Sequence, residues 1–273
     1  MSYYLKHYQN NIWHGKFSLF PEENIIHAIS TRQGGASSKP YDSLNLALHV
    51  GDSDEDVLKN RRLFAYSLGV DPRHIVTPEQ VHGVTVHSVT ASDAGRGGLS
   101  YADAVKATDA LITDEPNLPL MLCYADCTPL LFYDPTHGAI GVAHAGWKGT
   151  VGKIGAVTIG AMTEAFGTDP QDVLAAVGPA IGVCCYEIGE AVTSAVRDAF
   201  PQDTDKVLRT EGGKTYFNLS EANRLTLLAA GLQNGNIETA NDCTFCENNW
   251  YFSYRAAAGR TGRIAALMAL RAV

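Results

Sequence analysis

The segment 121–149, which reads MLCYADCTPLLFYDPTHGAIGVAHAGWKG, limits the possible folds of this chain more than any other stretch. It contains two apolar runs, PLLFYD and AIGVAHAG, which are joined by the turn-forming residues 135–138. Two strand-like runs with so short a connection predict an antiparallel β-hairpin. The run before them, LPLMLCY, is typical of a strand buried on both faces. We therefore expect a buried β-sheet in this part of the chain.

Further strands and helices are predicted on both sides of the hairpin. Strand-like runs bounded by Gly, Pro and Asp are TVHSVT, ALIT, VLAAVG and RIAALMAL. Apolar residues recur at intervals of three and four, as in amphipathic helices, in TVGKIGAVTIGAMTEAFG, YEIGEAVTSAVRDAF and SEANRLTLLAAGL. We expect Ser220 to be the N-cap of the last helix. Because strands and helices interleave without strict alternation, we predict an α/β fold with a mixed β-sheet sandwiched by helices.

The length and composition fit one domain. The chain has 273 residues, of which 45% are hydrophobic and 18% charged, so it can bury a sizeable core. It shows no internal repeat and no low-complexity segment. The segment 91–110 is rich in small residues, and we expect it to be a surface loop or a flexible flap rather than a linker. We predict a single domain over residues 1–273.

The charge distribution argues against two classes of partner. The formal net charge is −8, and the basic residues are scattered along the chain. Binding to nucleic acid or to an anionic membrane surface depends on clustered positive charge, so we expect neither partner. The sequence also lacks the roughly 20 consecutive apolar residues that a membrane span requires, and we see no secretory signal pattern. Six cysteines are too few for a disulfide scaffold in a chain of this length, which indicates a cytoplasmic protein.

Cys127 and His144 stand at the ends of apolar runs, where loops on a rigid sheet usually present functional groups. Asp126 and Pro129 interrupt the strand pattern around Cys127, and small residues on both sides of His144 leave room over its imidazole. A cysteine and a histidine can form a nucleophile pair or supply two ligands to a divalent metal. A metal site needs a third ligand, for which His82 in QVHG is the best candidate. Spacing alone does not choose between these chemistries, and each residue could instead belong to the core.

The remaining cysteines give weaker signals. Cys243 and Cys246 have C-x-x-C spacing, but no second pair has similar spacing and a loop-like segment follows them. Cys184 and Cys185 are adjacent, so we expect their side chains to diverge rather than to share an ion. Cys123 lies in a run that looks buried and is interpreted as a core residue.

Two segments are candidates for anion binding. Arg32 lies beside two glycines and two serines, in a loop whose backbone N–H groups could line a small anion nest. Arg255, Arg260 and Arg263 follow aromatic residues in FSYRAAAGRTGR, and arginine suits bidentate contacts with phosphate or carboxylate. Ordinary surface charge is the alternative for each of these residues.

Nine motifs, in order along the chain, carry a resemblance to one family. They are STRQGGASSKPYDSLNLALHVGD, QVHG, TDALIT, ADCTPLL, HAGWKGT, GPAIGVCCYEIG, FNLSEANRLTLLAAG, DCTFC and FSYRAAAGRTGR. Together they resemble the bacterial YfiH/YlmD family, once called multicopper polyphenol oxidases or laccases, which also includes the human laccase domain-containing protein. The resemblance extends from Ser30 to the C-terminus.

The resemblance implies a single α/β domain, grouped by fold with the bacterial cytotoxic-necrotizing-factor deamidases. It implies a zinc ion held by His82, Cys127 and His144. Family members are described as purine nucleoside phosphorylases that split adenosine, inosine and 5′-methylthioadenosine into base and pentose 1-phosphate, with adenosine deaminase activity as well. Some are described as peptidoglycan editing factors that act on muropeptide precursors. This chain has Ala256 where many relatives have a second arginine, which would weaken a phosphate site that depended on the pair.

On this basis we predict a zinc-dependent purine nucleoside phosphorylase, with adenosine deaminase activity as well, that binds a purine nucleoside and phosphate and acts as a monomer. We expect phosphate to bind at Arg32 or Arg255, with Gln80 as a further substrate contact. Asp126 is adjacent to Cys127 and is a candidate proton shuttle.

Three alternatives belong to other classes of function. In a metal-free hydrolase or amidase, His144 would activate Cys127 for attack on muropeptide precursors. A non-catalytic, metal-dependent protein would instead bind another chain. A multicopper oxidase needs several copper ions, and the nine histidines contain no H-x-H pair, so laccase activity and copper as the cofactor are disfavoured.

Overall fold

The structure, a computed structural model, describes residues 3–272. Its strands, numbered β1 to β14 along the chain, span Tyr3–His7, Trp13–Phe17, Ile25–Ser30, Val86–Ser88, Ala110–Thr113, Leu120–Tyr124, Thr128–Asp134, Ala139–Ala145, Leu174–Val177, Glu187–Ile188, Leu208–Glu211, Lys214–Phe217, Ile237–Thr239 and Ile264–Leu270. Its helices, numbered α1 to α6, span Asp54–Ser67, Trp147–Val151, Ile154–Phe166, Glu190–Ala199, Thr204–Val207 and Leu219–Ala229. Short 3-10 turns cover Gln9–Asn11, Pro72–His74, Ala91–Asp93, Tyr101–Asp103 and Asn234–Asn236.

The strands form two large sheets and one small one. The first large sheet has the strand order β1-β2-β3-β14-β6 and is antiparallel throughout. The second has the order β13-β9-β7-β8-β5-β4; its outer pairs, β13 with β9 and β4 with β5, are parallel, and its inner pairs are antiparallel. The small sheet, β10-β12-β11, is antiparallel. The predicted hairpin is confirmed, because β7 pairs with β8 from Thr128 opposite Ala145 to Asp134 opposite Ala139.

The two large sheets pack face to face, and helices cover their outer faces. In β6, Leu120, Leu122 and Tyr124 point into the core between the sheets, whereas Met121 packs on the other side with Phe64 of α1. This alternation is the period of two that a strand imposes. Helices α3 and α6 cover the outer face of β7 and β8 in a separate apolar cluster. The layers therefore run helix, sheet, sheet, helix.

The predicted fold class, α/β with mixed strands and flanking helices, is confirmed, with one correction. The expected single sheet is two sheets, because RIAALMAL and LPLMLCY pair with each other in the first sheet while the hairpin belongs to the second. An apolar run indicates that a strand is covered on both faces, but it does not reveal whether a helix or another sheet covers it.

Three local predictions also need correction. Helix α6 is capped by Asn218, whose side chain accepts the N–H of Glu221, and not by Ser220. The helix expected over 150–167 is divided into α2 and α3, because Lys153 adopts a left-handed conformation with φ of 61°. The segment 91–110 is not a flexible flap, since the buried Arg61 guanidinium donates hydrogen bonds to backbone carbonyl groups within it, at residues 97 and 98.

Within residues 3–272, no helix combines the length and the apolar composition that a membrane span would need.

Candidate metal and substrate site

Three predicted site residues converge at one end of the β7–β8 hairpin. Cys127 immediately precedes β7, His144 is the second-last residue of β8, and His82 lies in the loop before β4. The potential ligand atoms of these three side chains all lie within 4.8 Å of one another. The rings of His82 and His144 are 4.8 Å apart between centroids and nearly perpendicular. The hairpin register brings the cysteine and a histidine together, and the loop supplies the second histidine.

Two residues with positive φ shape the backbone around this cluster. His82 has φ of 61° and Asp126, next to Cys127, has φ of 82°. The left-handed region is uncommon for residues other than glycine and is frequent at functional sites. Both conformations fall in tight connections, which explains why the apolar strand pattern stops just before Cys127.

Asp109 is the functional residue that sequence reasoning missed. Its buried carboxylate accepts a hydrogen bond from His144 Nδ1 at 2.9 Å. It also accepts hydrogen bonds from the backbone N–H groups of Val81, His82 and Gly83, at 3.2, 3.0 and 2.7 Å. Burial by itself would raise the pKa of Asp109, but these hydrogen bonds lower it below the usual value. With Nδ1 of His144 donating to a carboxylate, Nε2 is the atom left for a ligand. Two signals pointed to it, its place just before a strand and its place in the motif TDALIT, but neither specified a role.

The donor set and the space around it fit a zinc ion. Cysteine sulfur and histidine nitrogen are the ligands that zinc prefers, and a catalytic zinc site has three protein ligands and one open position. Gly146 keeps this space clear, because a Cβ on this residue would lie 3.0 Å from Cys127 Sγ and 3.1 Å from His82 Cδ2. The carboxylate behind His144 is the usual partner of a metal-binding histidine. His82, Cys127 and His144 therefore form a possible metal site.

The charges of Cys127 and His144 are coupled. Burial alone would raise the pKa of Cys127, but the charge of His144 and hydrogen bonds from His144 and His82 lower it to about 6. Burial alone would lower the pKa of His144, but the Cys127 charge and the hydrogen bond to Asp109 raise it to about 9. Without a metal, the pair favours a thiolate beside an imidazolium, and a thiolate is the form of cysteine that binds metals and attacks electrophiles.

A cavity of about 540 Å3 opens over the cluster. Besides the three cluster residues, its lining includes His49, Gln80, Asp126, Tyr186, Arg255 and Arg263. The guanidinium groups of Arg255 and Arg263 stack over Tyr186 and Tyr254, with 5.3 and 5.6 Å between Cζ and the ring centroid. Burial and the charge of Arg263 lower the pKa of His49 to about 4, so this imidazole is neutral at neutral pH.

Both arginines keep donors available for a ligand. Arg255 uses Nη1 to bind the Glu187 carbonyl at 3.1 Å, and Arg263 uses Nη1 to bind two carbonyl groups at residues 261 and 262. No other nitrogen of either guanidinium group donates a hydrogen bond to the described residues. The cavity therefore has a cationic side whose unused N–H groups are suited to an anion.

The other predicted substrate residues occupy different positions. Arg32 does not line the cavity, because its guanidinium donates to the carbonyl groups of Asp42 and Asn248 and stacks on Phe252. Gln80 lines the cavity, but its amide exchanges two hydrogen bonds of 2.8 Å with the backbone of Cys123. The structure brings Gln80 to the cavity as a wall residue and leaves Arg32 outside.

Asp126 lines the cavity with both carboxylate oxygens already engaged. Oδ1 accepts the hydroxyl of Thr244 and Oδ2 accepts the backbone N–H of Arg255, each at 2.7 Å. These bonds tie the turn beside Cys127 to two other segments of the chain. The geometry fits a residue that positions Arg255 better than one that carries protons.

A second ligand group is present elsewhere. The sulfur atoms of Cys184, Cys185, Cys243 and Cys246 all lie within 4.8 Å of one another. The prediction that Cys184 and Cys185 would diverge is wrong, because a tight turn directs both side chains towards Cys246. Cys123 is a buried core residue, as expected.

The fold and the site together define an α/β protein with a Cys–His–His ligand cluster beneath an arginine-lined cavity. The chain belongs to the family described as multi-copper polyphenol oxidoreductase laccase, whose model matches residues 26–271. The resemblance inferred from the nine motifs is thereby confirmed.

Similar proteins connect this family to enzymes of purine metabolism. A protein of Geobacillus stearothermophilus named purine nucleoside phosphorylase YlmD is 41% identical over 252 residues, covering 92% of each chain. A protein from an unknown prokaryotic organism named adenosine deaminase RL5 is 33% identical over 240 residues, covering 87% of this chain and 91% of the relative. The crystal structure of YlmD from G. stearothermophilus superimposes with a TM-score of 0.93 at 39% identity, covering 98% and 99% of the two chains. The present chain is an enzyme of the same family.

Proposed function

We propose that this enzyme is a zinc-dependent purine nucleoside phosphorylase that converts adenosine, inosine or 5′-methylthioadenosine and phosphate into the free base and the pentose 1-phosphate. The observation that carries the proposal is the cavity in which a Cys–His–His cluster faces two arginines with unused donors. The names of the relatives support the reaction class. In this reaction a phosphate oxygen attacks C1′, and the purine leaves with the electrons of the glycosidic bond and takes up a proton.

Arg255 and Arg263 are the residues we assign to phosphate. Each offers N–H groups of a planar guanidinium group. A guanidinium group binds phosphate through two parallel, charge-assisted hydrogen bonds. Stacking on Tyr186 and Tyr254 fixes the planes of the two guanidinium groups. Arg32 is no longer proposed for this role, because backbone carbonyl groups occupy its donors.

His82, Cys127 and His144 are the residues we assign to zinc. When bound, a zinc ion with three protein ligands would supply Lewis acidity next to the substrate. The chain's own contribution is orientation: Asp109 fixes His144 and the loop that carries His82, and Gly146 leaves the space that the ion needs. Neutral His49 and the aromatic ring of Tyr186 form part of the wall against which a purine would pack.

Adenosine deaminase activity is the second reaction we assign to this cavity, since one relative carries that name. Water would replace the amino group at C6, and ammonia would leave. Asp126 is proposed to position Arg255 in both reactions. If Asp126→Asn lowers turnover without changing the shape of the pH–rate profile, the positioning role holds. Loss of one limb of the profile would instead support the proton shuttle first predicted for this residue.

The test is a product analysis of adenosine incubated with the zinc-loaded enzyme, with and without phosphate. Adenine and ribose 1-phosphate that form only with phosphate support phosphorolysis, whereas inosine that forms without phosphate reports deamination. Arg260→Lys is a matched control for variants of Arg255 and Arg263, because Arg260 is exposed in the same segment and does not line the cavity. Absence of both products from a zinc-loaded, folded enzyme would reject the proposal.

A metal-free Cys–His hydrolase acting on muropeptide precursors is the alternative favoured by a specific observation, the lowered pKa of Cys127 beside His144. It predicts amide hydrolysis that survives chelation and is lost on alkylation of Cys127. Laccase activity is not proposed, because a multicopper centre needs several copper ions, whereas the ligand groups found in residues 3–272 are one Cys–His–His set and one set of cysteines, and neither includes an H-x-H pair.

We further propose that the chain works as a monomeric single domain in the cytoplasm. All six cysteines are free thiols in the structure, which fits a reducing compartment.

A further inference from the structure

Two loops that are distant in sequence bring four cysteines together outside the cavity. One loop holds Cys184 and Cys185, and the other holds Cys243 and Cys246. Cys246 Sγ lies 3.4 Å from Cys185 Sγ and 3.8 Å from Cys184 Sγ. All four sulfur atoms are within 4.8 Å of one another. Each of the two loops therefore supplies two thiols to one cluster.

The distances match those of a tetrahedral metal centre with four thiolates. Zinc–sulfur bonds are about 2.3 Å, and a tetrahedron with bonds of this length has sulfur–sulfur edges of about 3.8 Å. The two edges that join Cys246 to Cys184 and Cys185 lie close to that value, and the remaining edges, all within 4.8 Å, require contraction of at most about 1 Å. The four sulfur atoms surround a space suited to one ion.

The backbone around Cys243 is arranged to stabilise a thiolate. The N–H of Gly182 donates to Cys243 Sγ, with 3.2 Å between nitrogen and sulfur. Gly182 brings the loops into contact, because a Cβ here would lie 3.1 Å from both Cys184 Sγ and Cys243 Cβ. Backbone donors aimed at a ligating atom orient it and neutralise part of its charge. This observation is independent of the distances between sulfur atoms.

The turn in the first loop explains how adjacent residues can serve one ion. The N–H groups of Cys185 and Tyr186 both donate to the Gly182 carbonyl at 2.9 Å. The backbone therefore curls around Gly182, and both cysteine side chains emerge towards Cys246 instead of alternating as they would in a strand.

We propose that Cys184, Cys185, Cys243 and Cys246 bind a zinc ion as a closed structural site, separate from the Cys–His–His cluster. Four cysteines without an open position are typical of structural zinc. The ion would link the segment that carries Ile181 and Tyr186, two cavity-wall residues, to the segment whose Thr244 hydroxyl binds Asp126. Zinc at this site fixes one wall of the cavity and takes no part in the reaction. The proposal does not depend on the identity of the substrate.

The test is the zinc content of protein purified in metal-free buffer, measured by elemental analysis. We expect two zinc ions per chain in the unchanged protein, one for each ligand group, one in Cys127→Ala, one in Cys246→Ser, and none in the double variant. Cys123→Ser is the matched control, because Cys123 belongs to neither group, and it should retain both ions. The two single variants show whether the sites fill independently, and the double variant shows whether any zinc binds outside the two groups.

Spectroscopy on a folded variant identifies the ligands of the bound ion directly, so the result does not depend on a cysteine variant that fails to fold. X-ray absorption at the zinc edge of folded Cys127→Ala should show four sulfur neighbours at about 2.3 Å and no nitrogen. Cobalt in place of zinc should give a strong sulfur-to-metal charge-transfer band in Cys127→Ala, which weakens in the double variant. The proposal is overturned if Cys127→Ala holds no metal, if it holds iron, or if its mass is lower by two hydrogen atoms, which indicates a disulfide within the group.

Discussion

Asp109 Oδ1 lies 2.9 Å from His144 Nδ1, and the same oxygen accepts the backbone N–H of His82. One buried carboxylate thus contacts both His144 on the hairpin and the backbone of His82 in a separate loop. The spacing of the proposed ligand cluster therefore depends in part on Asp109, which is not itself a member of the cluster.

Asp109→Asn is expected to weaken zinc binding by about 10- to 100-fold, the usual effect of removing a carboxylate behind a metal-binding histidine. The asparagine Nδ2 cannot accept the N–H of Gly83, and the orientation of His144 is no longer fixed by a charge. Competition with a chelator measures the affinity. Asp114→Asn, at an exposed position beyond the same strand, is the control and should bind zinc as the unchanged protein does. Equal affinities for the two variants would contradict this role of Asp109.

Arg263→Lys is expected to raise the KM for phosphate by about 10-fold, because one charge-assisted hydrogen bond contributes roughly 1.5–3 kcal/mol and lysine keeps the charge without the guanidinium group. The KM for adenosine should change much less. Phosphorolysis rates at varied phosphate concentration measure both constants, and Arg260→Lys provides the reference. A change confined to the nucleoside KM would place Arg263 at the base or the sugar instead.

Gly146→Ala is expected to lower zinc content and activity together while the fold is retained. The added methyl group would lie 3.0 Å from Cys127 Sγ and 3.1 Å from His82 Cδ2, and both side chains must move to accept it. Gly160→Ala is the matched control, because Gly160 is exposed in α3 and a methyl group added there would have no heavy atom within 4 Å. That substitution should stabilise the protein by about 0.5–1 kcal/mol in chemical denaturation. Full zinc occupancy in Gly146→Ala would show that the cluster is less tightly packed than its distances indicate.

Stability should fall as the pH drops below about 6.5, in part because His27 is buried and uncharged. Burial, together with the charge of Lys16, lowers the pKa of His27 from 6.5 to about 3. Between these two pKa values the unfolded chain takes up a proton at His27 and the folded protein does not. The free energy of unfolding therefore falls as the pH drops from about 6.5 towards 3, by at most about 1.4 kcal/mol per pH unit for this group.

His27→Gln should reduce that dependence between pH 6 and pH 4, since glutamine does not titrate and its Oε1 can still accept the N–H of Phe17. Guanidinium unfolding at a series of pH values measures the slope. His74→Gln, at an exposed position, should leave the slope unchanged. A slope that is the same in His27→Gln and in the unchanged protein would mean that other groups carry the acid sensitivity.

The hairpin and its ligands could be predicted because their signals are local. Cys127 and His144 end two apolar runs joined by a short turn, so strand pairing alone brings them together. Asp109 could not be found in this way, because it acts on side chains and backbone groups 26 to 35 positions away. Its role becomes visible only after β5 is paired with β8.

The sequence does not reveal which arginines have their N–H donors occupied by backbone carbonyl groups and which keep them for a ligand. Arg32 comes just before a loop-like segment rich in small residues, and Arg263 just after one. In the fold, three donors of Arg32 meet carbonyl groups, whereas Arg263 keeps most of its donors for the cavity. Which carbonyl groups approach a guanidinium depends on tertiary packing, so residue type alone could not separate the two.

Helix α1 was missed although its start is signalled. Ser53 accepts the N–H of Asp56, and three acidic residues occupy the first turn, an arrangement that favours a helix start. The first strand was missed for a different reason. The run YYLKH in β1 contains few consecutive apolar residues, because β1 is the edge of its sheet and is only half covered.

The placement of β14 has a consequence for the order in which the molecule assembles. This strand pairs with β3, and the partner residues 29 and 266 are far apart along the chain. The β7–β8 hairpin, by contrast, closes over a four-residue turn. Local contacts form quickly and distant pairings slowly. During synthesis, hairpin pairing would thus bring Cys127 and His144 to the same end of β7 and β8 well before the five-stranded sheet is complete, and the Cys127 thiol would lack that backing for as long as the last strand is missing.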